Sequence, residues 1–165
     1  MSAVGEAQQH RDYSGAIYGS VLAASVVAGT SPGEDFATPA ELAILLIATG
    51  LVFWLAHVYA ELFGGSIHGP HRMAWVNVRH IAAEEWPIAA AGVPPTLAAL
   101  IGAVFGLSDV NTSWLCLIVS VVGMTAWAVA AAAAAGIGGH LIFLSGLISL
   151  SFGAVIIVLK VSLAH

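Results

Sequence analysis

The chain has 165 residues, of which 59% are hydrophobic and only 8% are charged, against roughly 25% charged residues in an ordinary soluble domain. Together with a mean hydropathy of +0.96, this composition indicates a membrane protein. A net charge of −5 excludes a nucleic-acid-binding protein, because such a protein needs a clustered basic face.

Five mostly apolar runs are candidates to cross a bilayer as helices, which takes about 20 residues each. They are Tyr13–Gly29, Ala40–Phe63, Pro87–Leu107, Trp114–Ala135 and Leu141–Leu163. The first run is the shortest and most polar, so a helix lying in the membrane interface is its alternative. The sequence therefore predicts an all-α fold, with a polar segment at 1–12 and one transmembrane bundle of about five helices at 13–163.

Turn-forming residues separate the runs and mark their ends. Thr38, followed by Pro39 and Glu41, is typical of an N-cap, a helix-start proline and an acidic first turn. The longer link at 64–86 contains a stretch whose apolar spacing predicts a short interfacial helix. The connections are otherwise short, which favours antiparallel neighbours.

The basic residues predict the orientation. Arg11, Arg72 and Arg79 fall on one side of the predicted bundle, and only Lys160 lies near the other. Because basic residues accumulate in cytoplasmic loops, we expect the N-terminus and the 64–86 link to be cytoplasmic, in a bacterial inner membrane.

Small residues recur at four-residue spacing, which lets helices approach closely in lipid. The pairs are Gly15 with Gly19 and Gly102 with Gly106. They predict packing faces, either between helices of one chain or between subunits of a homo-oligomer.

His57 is an ionisable residue well inside the second run, and Glu61 follows four residues later on the same helical face. Such a pair can relay protons or handle cations, because imidazole changes charge near neutral pH. We assign Tyr18 of the first run to the same ion path. The alternative is a structural pair that ties two helices together.

A second His–Glu pair stands at the entry to the third run. His80 and Glu84 repeat the four-residue spacing, with Glu85 adjacent. With His57 and Glu61 they form a candidate ligand set for a divalent metal. Alternatively, Glu84 and Glu85 mark a solvated helix start that complements the helix dipole.

Pro94 and Pro95 interrupt the third run. Two prolines remove two backbone donors and free carbonyls that hydrocarbon cannot satisfy, so the break should face protein or water. Broken helices line ion paths in transporters, so both prolines join the predicted path. A plain kink that fits the bundle is the alternative.

No catalytic motif stands in the sequence, and we expect neither an enzyme nor a cofactor. The function favoured is a passive or proton-linked cation channel or transporter in contact with the lipid bilayer. The alternatives are a non-transporting membrane partner or assembly subunit, and a divalent-metal transporter.

Two family resemblances bear on this reading. Tyr13-Ser14, Trp54-x-x-His57 and Pro94-Pro95-Thr96 resemble helix motifs of the bacterial and lysosomal potassium-channel family with six-helix subunits. That resemblance implies a cation channel, although Gly15 stands where the family has an Asp and one helix is missing. The five-span order is similar in topology to vacuolar iron transporters, which implies a metal transporter.

Overall fold

The computed structural model describes residues 3–30, 36–64 and 75–163, and these contain seven helices and no strand. The helices are α1 (Ala3–Gly29), α2 (Pro39–Gly64), α3 (Trp75–Glu84), α4 (Trp86–Ala90), α5 (Val93–Val104), α6 (Asp109–Ala134) and α7 (Gly139–Leu163). The predicted all-α helical bundle is confirmed. Arg72 and the part of the 64–86 link at 65–74 lie outside the described residues.

Four stretches of the described chain are long and apolar enough to cross a membrane: α2, α4 with α5, α6 and α7. Large apolar side chains on them point outward, among them Ile44 on α2 and Phe143 and Phe152 on α7. This outward apolar surface is typical of contact with lipid. The chain is therefore an integral membrane protein.

α1 is less apolar than these four but runs through the bundle beside them. Its side chains Ala24 and Val27 are fully buried, and Ala16 and Ser20 nearly so. It packs against α2, α4, α6 and α7. Because protein rather than lipid covers much of its surface, α1 needs fewer apolar residues, and the bundle is compatible with about five spans.

The bundle has two ends, which we name by the chain termini nearest to them. The N-terminal face holds the start of α1, the end of α2, α3, the start of α4 and the loop between α6 and α7. The C-terminal face holds the end of α1, the start of α2, the loop between α5 and α6, and the end of α7. Contacts within each end, described below, establish this antiparallel order.

Local chemistry fixes several helix ends. Glu41 accepts hydrogen bonds from the Thr38 backbone N–H and hydroxyl at 2.9 Å each, which confirms the predicted start of α2. α6 begins at Asp109 rather than at the predicted Trp114, because the Ser108 hydroxyl caps it by accepting from Asn111 N–H at 3.3 Å.

The small residues of the chain serve close contacts between its own helices. A Cβ added at Gly19 would collide with the Ile88 carbonyl of α4, and one at Gly102 would lie 2.5 Å from Thr112 Oγ1 of α6. Gly15 faces Ile88 at ordinary contact distance. The predicted face at Gly106 needs correction: this residue follows α5 with φ of 65°, a left-handed conformation that suits glycine and ends the helix.

The apolar core fills the half of the bundle nearer the C-terminal face. Each of its members has less than one tenth of its surface exposed. They include Ala24, Val27, Leu42, Leu46, Ala98, Ala99, Cys116, Leu117, Val121 and Ile156. Cys116 donates its thiol to the Pro95 carbonyl at 3.4 Å, which joins α6 to α5. The half nearer the N-terminal face contains His57 and the pocket described below.

Candidate functional site

The third span is broken, as the sequence predicts, but just before its two prolines. α4 ends at Ala90 and α5 starts at Val93, so Pro94 and Pro95 stand in the first turn of α5. The first turn tolerates proline because its N–H groups have no helical partner. Since neither proline has an N–H, the carbonyls of Ala90 and Ala91, four residues earlier, receive no helical hydrogen bond.

A pocket of about 500 Å³ lies beside this break, at the N-terminal face. We call it the break pocket. α1, the end of α3, α4, the start of α5 and the end of α6 enclose it; its lining residues are Asp12, Tyr13, Ala16, Ala83, Trp86, Pro87, Ala90, Ala91, Pro94 and Trp127. It therefore combines one carboxylate, three aromatic rings and the two residues whose carbonyls the prolines free.

The aromatic walls of the break pocket are held by ring contacts. The Tyr13 and Trp127 centroids are 6.0 Å apart, which joins the start of α1 to the end of α6. Trp86 meets Trp54 of α2 edge to face at 5.4 Å, and Trp54 Nε1 donates to the Ala82 carbonyl at 2.8 Å. These contacts tie α2, α3 and α4 together and set one wall of the pocket.

His57 is partly buried and packs against α1. Its Nδ1–H donates to the Phe53 carbonyl, at 2.9 Å, one turn earlier on α2. In the neutral ring this leaves Nε2 as an acceptor. The ring centroid lies 5.1 Å from that of Tyr18, so the structure brings together two of the predicted path residues from different helices.

Glu61 is separate from His57. Among the described residues no hydrogen bond or ion pair joins the two. Glu61 instead lines a shallow groove of about 270 Å³ between α2 and α3, together with Asn77, His80, Ile81 and Glu84. His80 Nδ1 and Glu84 Oε1 lie 3.5 Å apart in this groove, while Glu85 occupies the N-cap position of α4.

The predicted metal ligands are not gathered into a metal centre. In the described part of the chain, no three His, Cys, Asp or Glu side chains lie close enough to hold one ion. Glu61, His80 and Glu84 line the groove with His80 66% exposed, so its imidazole faces the surroundings rather than an enclosed site.

The predicted ion path is likewise divided between two places. Asp12, Tyr13 and Ala16 of α1 face the break pocket, whereas Tyr18 faces His57 on α2. At about 100° per residue, these two sets lie on opposite sides of α1. His57 and the Pro94 break are therefore separate features.

Lys160 is a polar feature that the sequence pattern placed at the surface and the structure buries. It is 2% exposed at the C-terminal face. Its ammonium donates to Ser113 Oγ at 2.7 Å and to the Val27 carbonyl at 3.2 Å, near the end of α1. The rings of Phe36 and Trp114 lie 5.7 and 5.6 Å from it. The sequence contained one signal for this burial: Lys160 is the one Lys, Arg, Asp or Glu of the last apolar run.

Sequence reasoning also missed Asp12, Trp86 and Trp127 as pocket residues. Asp12 precedes the first apolar run and the two tryptophans stand near the ends of other runs. Aromatic residues near span ends are typical of the membrane interface. Their positions in the sequence therefore predicted how deep they lie in the membrane, but not that they share a site.

Comparisons of the chain with protein-family models, with curated proteins and with solved structures give no match. The two family resemblances therefore stay predictions, and the function is argued from the geometry of the chain itself.

Proposed function

We propose that this protein is a cation carrier of a bacterial inner membrane, with the N-terminal face in the cytoplasm and the break pocket as its cation site. The observation that carries the proposal is the interrupted third span beside a pocket that contains Asp12. Interrupted membrane helices bind cations because their freed carbonyls and a nearby carboxylate replace water around the ion.

The charges around the break pocket support a cation rather than an anion. Asp12 is the only charged side chain among its described lining residues, and none of them is Lys or Arg. Ala90 and Ala91, whose carbonyls lack helical donors, are also among the lining residues. The described lining therefore carries one negative charge and no positive one, which favours a cation.

The packing supports a carrier rather than an open channel. Between the break pocket and the C-terminal face stands the apolar core, including Ala98, Ala99 and Leu117. A cation in the pocket would have to cross this core to reach the C-terminal face, so transport requires a rearrangement of the helices. The two residues between α4 and α5 are where such a change in angle is least costly, because the helical hydrogen bonds are already interrupted.

His57 supplies a candidate proton group for a proton-linked carrier. It packs on Tyr18 of α1, and α1 also borders the break pocket. A change in the His57 charge would alter the α1–α2 contact and, through α1, the shape of the pocket.

Proteoliposomes test the proposal. We expect the wild-type protein to support flux of at least one of K⁺, H⁺ or methylammonium above that of protein-free liposomes. Asp12→Asn should reduce this flux about tenfold or more, because a charge-assisted contact is lost. Asp109→Asn, at the opposite end of the bundle, is the matched control and should retain it. Absence of flux for every cation would contradict the proposal and favour a non-transporting membrane subunit.

A further inference from the structure

We infer that the break pocket binds an organic ammonium ion, meaning a protonated amine carried on an apolar body. The inference rests on the proposed function and names the substrate class of its site.

The hydrogen-bonding groups of the pocket favour a ligand that donates from a positive nitrogen. The Asp12 carboxylate accepts hydrogen bonds, and the lining also includes Ala90 and Ala91, the two residues whose carbonyls the prolines leave without helical donors. An ammonium group carries up to three N–H donors and a charge opposite to that of Asp12. The ammonium group of the ligand thus supplies both the hydrogen-bond donors and the positive charge that the pocket favours.

The walls of the pocket favour an apolar body next to that nitrogen. Tyr13, Trp86 and Trp127 present aromatic rings, and Pro87 and Pro94 add apolar surface. Ring faces attract a cation through their quadrupole and also cover hydrocarbon. The Tyr13–Trp127 separation of 6.0 Å keeps two of these rings as neighbouring parts of one wall.

The size of the pocket argues against a bare metal ion as its occupant. A bare cation needs a close shell of several oxygen ligands. The described lining has one carboxylate and a volume of about 500 Å³, within the range of small-molecule sites. An inorganic ion would remain hydrated there and gain little from the three rings.

Two sources could supply the ammonium group. One is a free amine from the aqueous phase, which would reach the exposed Asp12 side chain at the N-terminal face. The other is the headgroup of phosphatidylethanolamine, because tyrosine and tryptophan, which line the pocket, are enriched where membrane proteins meet lipid headgroups. Both present the same chemistry to the pocket.

Calorimetric titration of the full chain in phosphatidylglycerol nanodiscs tests the inference. Benzylammonium is the probe, and benzyl alcohol is a neutral probe of nearly the same shape. We expect the wild-type protein to bind benzylammonium at least about tenfold more tightly than benzyl alcohol, since only the former makes charge-assisted hydrogen bonds. This comparison uses the unaltered protein and is independent of how any variant folds.

Variants then locate the binding. Asp12→Asn should weaken benzylammonium binding about ten- to hundredfold. Trp127→Leu should weaken it about two- to thirtyfold through the lost ring. The controls Asp109→Asn and Trp75→Leu alter a carboxylate and an exposed ring outside the pocket, and should bind as the wild type does.

Repeating the titration in phosphatidylethanolamine nanodiscs separates the two sources. Unchanged affinity identifies a free amine as the ligand, whereas a tenfold or larger loss identifies the lipid headgroup as a competing occupant. Equal binding of benzylammonium and benzyl alcohol in phosphatidylglycerol, or full affinity in Asp12→Asn, would overturn the inference. K⁺ flux without amine binding would overturn this inference alone, and amine binding without any cation flux would overturn only the transport proposal.

Discussion

At the scale of single residues, Lys160 shows how a charge is accommodated inside an apolar helix bundle. Its ammonium lies at the end of α1, where the last carbonyls of a helix carry partial negative charge, and it donates to one of them, that of Val27. The Ser113 hydroxyl and the rings of Phe36 and Trp114 complete the described surroundings. Lys160 therefore joins α7 to α1, α6 and the segment before α2.

Replacing Lys160 by Met should lower the free energy of unfolding by about 1–3 kcal/mol, because it removes the buried hydrogen bonds from the ammonium to the Ser113 hydroxyl and the Val27 carbonyl. Equilibrium unfolding in mixed micelles measures the change. Ser162→Ala, an exposed position two residues later, is the control. A Lys160→Met protein as stable as the wild type would show that the buried ammonium adds nothing to folding.

The sequence predicted some of these residues and not others for a physical reason. His57 was identifiable because an imidazole within an apolar run is unusual by itself. Asp12 was not, since its meaning depends on Trp86 and Trp127, which the chain brings next to it only through the order of helix packing. Residues that meet from three different helices have no characteristic spacing along the chain, so no sequence motif marks their site.

At the scale of elements, the crossing of α1 and α4 is the tightest helix contact described for α1. A Cβ added at Gly19 would collide with the Ile88 carbonyl and would lie 2.8 Å from the Ala91 Cβ. Because α4 forms one wall of the break pocket, this crossing also sets the distance between α1 and the pocket wall.

Gly19→Ala should separate α1 from α4 and lower the free energy of unfolding by about 1–3 kcal/mol, since a closely packed contact cannot absorb a methyl group. Gly29→Ala is the matched control, because nothing lies within 4 Å of a Cβ added at that helical position. Thermal unfolding of both variants checks the difference. Equal melting temperatures would mean that α1 and α4 can move apart without loss of stability.

The ends of the helices could be predicted from the sequence, whereas the contacts between helices could not. Thr38 and Glu41 signalled the start of α2 because a capping box uses only neighbouring residues. The break before Pro94 was signalled by the missing N–H groups. Which face of α1 meets α4, and which meets α2, depends on the packing of small residues that the sequence offers in several places.

At the scale of the whole molecule, the antiparallel order predicts which loops share a side of the membrane. Leu107, between α5 and α6, lies at the C-terminal face, and Ile137, between α6 and α7, lies at the N-terminal face. Both side chains are exposed.

Leu107→Cys and Ile137→Cys, each made in a Cys116→Ser background, should react with a membrane-impermeant thiol reagent from opposite sides. With the N-terminal face in the cytoplasm, intact cells should label only the Leu107→Cys protein, and permeabilised cells should label both. The Cys116→Ser parent is the control for background labelling. Labelling of both loops in intact cells would refute the antiparallel order, and labelling of Ile137→Cys alone would reverse the orientation.

The architecture as a whole was the most predictable level, because composition and run length determine whether a chain is a membrane bundle. The least apolar of the five predicted spans, in α1, was the weakest for the same reason that it lies among the others: its partners are protein side chains. Hydropathy measures affinity for lipid and does not register this kind of burial.

The contact made by Lys160 joins the first helix to be synthesised to the last one. α1 is synthesised first, and one donor to its last turn, the Lys160 ammonium, belongs to the final helix. Until α7 leaves the ribosome and enters the bilayer, the end of α1 lacks this cation. Assembly of the bundle is therefore completed by its last segment, and a chain truncated before α7 would lack the hydrogen bond that joins α7 to the end of α1.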